Sequence, residues 1–118
     1  MNLFIKPPFD QNLIVEGKEV LSFSFAFFNN DWDLVLSSMR GRPFRIIGDL
    51  DLSFKKIESL GNLQSVGGCL GLRKTNIESL GNLISVGESL GLRYTPLSKK
   101  YSEDQIRKMV NVAGEIIL

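Results

Sequence analysis

The chain has 118 residues, 43% of them hydrophobic and 23% charged, which suits one globular domain with a continuous core. Its 14 Lys and Arg nearly balance 13 Asp and Glu, for a formal charge of +1, so bulk charge argues for neither nucleic acid nor a membrane surface. With no histidine and a single cysteine, Cys69, an intrachain disulfide is excluded, as are metal sites built from His and Cys.

The opening Met1-Asn2-Leu3-Phe4-Ile5-Lys6-Pro7-Pro8 lacks the basic stretch and longer apolar run of a secretory leader. No run approaches the roughly 20 apolar residues of a spanning helix, and a soluble, cytoplasmic protein is expected. Residues 13–15 and 20–28 flank Glu16-Gly17-Lys18-Glu19 and predict a hairpin. In its second strand Leu21, Phe23, Phe25 and Phe27 share one face, with Ser22, Ser24 and Ala26 on the other. Asn30 or Asp31 is placed to cap a short helix carrying Trp32, Val35, Leu36 and Met39 at helical spacing, and Gly41 is a natural stop. Residues 1–45 therefore read as an N-terminal cap. Packing outweighs a ligand pocket as the task of its phenylalanines.

Residues 46–97 are repetitive. Aligning 57–76 with 77–96, IESLGNLQSVGGCLGLRKTN over IESLGNLISVGESLGLRYTP, gives 15 identities in 20 positions without a gap. The same 20-residue offset carries Ile46-Ile47-Gly48-Asp49-Leu50-Asp51-Leu52 onto 66–72 and then 86–92. A fourth copy, Val112-Ala113-Gly114-Glu115-Ile116-Ile117-Leu118, follows 26 residues after the third. Each copy predicts a short strand with Leu50/Leu52, Leu70/Leu72, Leu90/Leu92 and Ile116/Leu118 on one face. A second apolar set follows at Ile57, Leu60, Leu63 and Val66, matched by Ile77, Leu80, Leu83 and Val86. Its threefold spacing, interrupted by Gly61-Asn62 and Gly81-Asn82, predicts a 3₁₀-like or irregular return. One copy cannot bury both sets, whereas stacked copies can, with parallel strands side by side. At 98–118, Ser102-Glu103-Asp104-Gln105 forms a capping box ahead of Ile106, Met109 and Val110, so a helix occupies the insertion before the last strand.

The pattern Leu70-x-Leu72-x-x-Thr75-x-Ile77-x-x-Leu80-x-x-Leu83 resembles the leucine-rich repeat. Its short, glycine-bearing form is similar to the repeats of receptor L-domains and of small bacterial and phage proteins. The resemblance covers 46–97 well and 98–118 more loosely. It implies an α+β leucine-rich-repeat solenoid in a single domain, 1–118, with a parallel sheet on one face. A hairpin and helix would cap one end, and a helix and strand the other. It also implies protein binding on the strand face. One departure stands out: Thr75 and Thr95 replace the usual Asn, and Lys55 does so in the first copy. A Thr hydroxyl can satisfy turn backbone groups but Lys55 cannot, so the first rung is expected to be irregular.

Outward strand positions stack as Asp49/Cys69/Ser89/Glu115, Asp51/Gly71/Gly91/Ile117, Ser53/Arg73/Arg93 and Phe54/Lys74/Tyr94. Gly71 and Gly91 predict a shallow strip open to a partner's backbone. Arg73, Lys74, Arg93 and Tyr94 stand beside it, with Lys55, Lys56, Lys99 and Lys100 nearby, and these six strand-face residues form the candidate binding surface: Gly71, Arg73, Lys74, Gly91, Arg93 and Tyr94. The functional reading is recognition of an acidic protein surface or phosphate by arginine forks and an aromatic. Against it stands a solvated charge ladder with Glu58 and Glu78 close enough to pair. Nucleic acid ranks below protein, although Arg40, Arg42 and Arg45 would extend the basic edge. Catalysis ranks last: without histidine it falls to Asp49, Asp51 or Glu115, and no phosphate loop, nucleophile elbow or metal cluster accompanies them. Neither cofactor nor metal is expected. Asp49 and Asp51 read as surface groups that serve solubility or pair with Lys55 and Arg73, and Cys69 as an exposed thiol. The last strand, as a sheet edge, offers a homodimer contact.

Overall fold

The computed structural model describes residues 14–15 and 18–118. The leader reading of the opening residues and the Glu16-Gly17 portion of the expected hairpin turn fall outside the described residues. Strands β1 (Ile14–Val15) and β2 (Lys18–Glu19) pair antiparallel, Ile14 with Glu19 and Val15 with Lys18. A hairpin thus forms, but its second strand is Lys18–Glu19 and not the expected 20–28, whose leading residues Leu21–Ser24 pair parallel with Phe44–Ile47. Strand β3 (Leu21–Ser24) stops short of the predicted Phe28. Phe25–Phe28 wind instead into a 3₁₀ turn, followed by Asn29 and Asn30 at φ 56° and 55°. Asparagine tolerates this left-handed backbone better than most residues, and the two N–H groups donate to Ala26 O and Phe25 O at 3.0 and 3.1 Å. The turn overrides the expected alternation. Phe25 and Phe28 are buried, Phe27 is half-buried and Ala26 is exposed.

Asp31 is the helix cap, its carboxylate accepting from Leu34 N–H at 3.2 Å. Helix α1 (Trp32–Met39) buries Trp32, Val35 and Met39 and leaves Leu36 half-buried. It ends at Arg40 in the left-handed region, one step before the expected Gly41. The aromatic residues pack on one another: Phe23 stacks on Phe44 at 5.6 Å, and Trp32 lies 5.9 Å from Phe44.

Eight further strands follow: β4 (Phe44–Ile47), β5 (Leu50–Asp51), β6 (Leu63–Val66), β7 (Leu70–Gly71), β8 (Ser85–Val86), β9 (Leu90–Gly91), β10 (Asn111–Val112) and β11 (Ile116–Ile117). They form two parallel sheets, a four-stranded one in the order β11-β9-β7-β5 and a five-stranded one in the order β10-β8-β6-β4-β3. The fold is α+β with parallel sheets. In the four-stranded sheet Leu50, Leu70, Leu90 and Ile116 are in register, and the Leu52, Leu72 and Leu92 side chains beyond them are fully buried. The first three leucine pairs therefore lie as the sequence predicts, whereas in the fourth only Ile116 is buried and Leu118 is 39% exposed.

The second sheet corrects the expected return. Ile57, Leu60, Leu63 and Val66 are all buried, yet Leu63–Val66 is a strand. Leu63 and Val66, three apart, can both face inward because Phe44 pairs with Leu63 and Arg45 with Ser65, leaving Gln64 in a bulge. An extra residue in one strand restores the inward phase, and its threefold spacing mimics a 3₁₀ turn in the sequence. The corners between the sheets are tight. A Cβ on Gly87 would stand 2.0 Å from Gly67 O, so glycine is required there.

Between β9 and β10 lie α2 (Pro96–Lys100), which the sequence pattern did not predict, and α3 (Glu103–Met109). Pro96 sits at the first helical position, where its missing N–H costs nothing. The expected capping box closes on α3, with Ser102 N–H on Gln105 Oε1 at 2.8 Å and Gln105 N–H on Ser102 Oγ at 3.3 Å. Ile106 and Val110 are buried, but Met109 is 46% exposed and faces out. Strands β10 and β11 are the terminal members of their sheets. Among the described residues no helix is long and apolar enough to cross a membrane.

Candidate functional site

The four-stranded sheet sets the geometry of the candidate surface. Past the buried Leu52, Leu72 and Leu92 the chain emerges and turns at Phe54, Lys74 and Tyr94, with φ 65°, 57° and 61°. A left-handed backbone costs an L-residue roughly 1–2 kcal/mol, and bulky side chains rarely adopt it. The ladder nevertheless continues through the turn, Phe54 N–H donating to Arg73 O at 2.8 Å and Lys74 N–H to Arg93 O at 3.0 Å. Beneath it the buried Thr75 and Thr95 hydroxyls donate to Leu72 O and Leu92 O, each at 2.7 Å. Lys55 offers only main-chain groups: its N–H donates to Leu52 O at 3.3 Å, and its carbonyl accepts from Ile57 N–H at 3.0 Å. The first copy keeps its turn and register but is irregular as expected: it lacks the hydroxyl, and Ile57 N–H folds back onto Lys55 O, a bond the later copies do not make.

Stacked turns carry Phe54, Lys74 and Tyr94 into one column, with Arg73 beside it. The Arg73 guanidinium carbon lies 5.5 Å from the centroids of both rings, and Lys74 Nζ lies 5.6 Å from both. The rings are 64% and 59% exposed, the most of any described large hydrophobic residues together with Ile84. Cation–π contacts of about 0.5–1 kcal/mol at exposed sites offset a repulsion between neighbouring cations of about 1 kcal/mol in water. The sole ion pair among the described residues joins Arg107 and Glu103 at 3.0 Å. The expected pairings of Arg73 or Arg93 with Glu58 and Glu78, and of Asp49 and Asp51 with Lys55 and Arg73, do not occur. Phe54 belongs to this surface although it was not among the six candidates. Its place in the 20-residue offset, level with Lys74 and Tyr94, was the signal that marks it.

The glycine strip needs correction at one rung. A Cβ on Gly71 would meet Asp51 Oδ1 at 2.9 Å and Ser53 Oγ at 3.1 Å, so those side chains already fill the space. The Asp51 carboxylate is held there by Ser53 N–H at 3.0 Å. At Gly91 the nearest atoms would be 3.9 and 4.0 Å away, and the surface is open as expected.

Upstream on the same strands the polar groups mainly serve the backbone. Asp49 Oδ1 accepts from Cys69 N–H at 2.8 Å, and Ser89 Oγ from Glu115 N–H at 3.3 Å. Cys69 is half-buried rather than exposed, its Sγ 3.5 Å from Glu88 Oε1. One ligand atom each from Asp49, Cys69 and Glu88 lies within 4.8 Å of the others. This trio could offer a mixed oxygen and sulfur donor set, but it lacks the fourth donor of a closed structural zinc site and one of its carboxylates is engaged with backbone.

Four of the remaining cations lie elsewhere. Arg42 caps α1 with Nε on Met39 O at 3.1 Å and Nη2 on Ser38 O at 3.3 Å. Arg45 is on β4 in the other sheet, where with Ser22, Ser65 and Glu88 it lines an open groove. Lys55 and Lys56 line a cleft with Asp31 and Asp33 at the start of α1. On the strands themselves the basic surface consists of Arg73, Lys74 and Arg93, with Lys99 and Lys100 following on α2. No protein-family model, curated protein or solved structure matches the chain.

Proposed function

We propose that the chain is a leucine-rich-repeat-type solenoid acting as a non-enzymatic protein-interaction module, with its recognition surface at Phe54, Arg73, Lys74, Gly91, Arg93 and Tyr94. The in-register leucine strands at 20-residue spacing support the architecture. The observation that carries the function is the column of exposed Phe54 and Tyr94 rings flanking two cations that have no acidic partner. Glycine would adopt the same left-handed turn at less cost. Holding Phe, Lys and Tyr there in three successive rungs spends stability on exposed side chains, and strain of this kind gathers at functional sites. Aromatic and arginine side chains are also the usual anchors of protein interfaces.

A double variant Arg73→Glu/Arg93→Glu tests this reading. With circular dichroism unchanged, it is expected to lose the partners that the wild-type chain captures; retention of the same partners would remove the surface from consideration. The three unpaired cations also support a second reading, binding of an anion or nucleic acid on this ladder. In that case affinity falls with a log–log salt slope of about −2 to −3 for three phosphate contacts, and a weak salt dependence excludes it.

A further inference from the structure

Charge on the strand face is segregated. Asp49, Glu88 and Glu115 lie at the upstream ends of the strands, all exposed and none in an ion pair, with Asp49 and Glu88 also bordering the groove lined by Arg45. Arg73, Lys74 and Arg93 form a band at the downstream ends, equally exposed and equally unpaired. Each band repels itself and carries three charges, while Asp51, exposed between them, has its carboxylate on Ser53 N–H at 3.0 Å. Between them run Gly71 and Gly91, the latter with no atom near enough to obstruct a close approach. Lay one such face on another, related by a two-fold axis parallel to the stacking direction. The strand direction reverses, and the acidic band of each copy meets the basic band of the other. An isologous contact of this kind satisfies both bands at once.

We propose that this face is a self-association surface and that its occupant is a second copy of the chain, docked face to face with strands antiparallel. The inference rests on the recognition surface described above and names its partner. Charge complementarity selects this occupant over a nucleic acid, whose continuous phosphates would also lie over Asp49, Glu88 and Glu115. The face is small. Four strands at about 4.8 Å and roughly six residues at about 3.3 Å span about 400 Å², around half of what one partner contributes to a standard interface. Association is therefore weak and charge-dependent.

Sedimentation equilibrium up to about 1 mM protein, in low salt and in roughly 0.5 M salt, tests this directly. Wild type is expected to dimerise in low salt and dissociate in high salt. Arg73→Glu/Arg93→Glu makes the face acidic and Glu88→Lys/Glu115→Lys makes it basic; each alone should be monomeric. Asp49 is left intact because it holds the Cys69 N–H. An equimolar mixture of the two variants should form a one-to-one heterodimer at least as tight as the wild-type dimer. A monomeric wild type in low salt overturns the proposal, as does a dimer that either variant leaves undisturbed, or a mixture that stays monomeric. Should wild type be monomeric while Arg73→Glu/Arg93→Glu still loses a captured partner, self-association falls and the recognition surface stands. If the charge-swap mixture dimerises but the captured partners are indifferent to the swap, the reverse holds.

Discussion

The two parallel sheets share the same turns of chain but meet different demands. In the four-stranded sheet the inward residues are leucine or isoleucine throughout, and the register runs unbroken from Leu50 through Leu70 and Leu90 to Ile116. Its outward central column changes freely: Asp51, Gly71, Gly91, Ile117. The five-stranded sheet needs a bulge at Gln64, an aromatic stack at one end and glycine at its corner with the first sheet. Simple alternation suffices for one, while the other depends on local backbone adjustments. The sheet that asks least of its outward side chains is the one left free to display an aromatic and cationic column.

Substitutions can break or sharpen that contrast. The largest losses should come from the shared interior. Phe44→Ala, removing a fully buried ring stacked at 5.6 Å on Phe23, should cost about 3–5 kcal/mol, and Leu70→Ala about 2–5 kcal/mol, in urea unfolding. A cost below about 1 kcal/mol for Phe44→Ala would mean that the aromatic end and the leucines do not share one core. Next come two glycines of the same rung. Gly87→Ala drives a methyl toward Gly67 O and should cost about 1–3 kcal/mol or more, while Gly91→Ala, with no atom closer than 3.9 Å, should stay within about 0.5 kcal/mol. Equal costs would erase the distinction between corner and face. Smallest is Thr75→Val, which removes the hydroxyl bond to Leu72 O but leaves the Thr75 N–H on the same carbonyl at 3.2 Å. About 1 kcal/mol is expected, and a neutral result would show that the first rung loses nothing by carrying Lys55.

The leucine strands were legible because period-two alternation recurs at a fixed offset, and the α3 capping box because its Ser and Gln stand three apart. Leu63–Val66 was not, since a bulged strand and a 3₁₀ turn leave the same apolar spacing. Nor was the stop at Ser24, where the Asn29-Asn30 pair makes the 3₁₀ turn possible while Phe25 and Phe27 continue a strand-like pattern. At the surface, Arg73, Lys74, Arg93 and Tyr94 followed from the repeat offset alone. The cation–π arrangement did not, because it depends on side-chain rotamers and on a left-handed turn at non-glycine residues. The filling of the Gly71 notch by Asp51 and Ser53 was hidden for the same reason: it is a property of neighbours on the adjoining strand.

Every strand pair in the two parallel sheets joins only successive turns of chain; none links a turn to the one after next. Assembly from the denatured chain is thus a relay, in which each docking event closes a segment of modest length and prepares the template for the following one. Hydrogen exchange should accordingly be slowest at β6 and β7, flanked on both sides, and quicken toward either extremity.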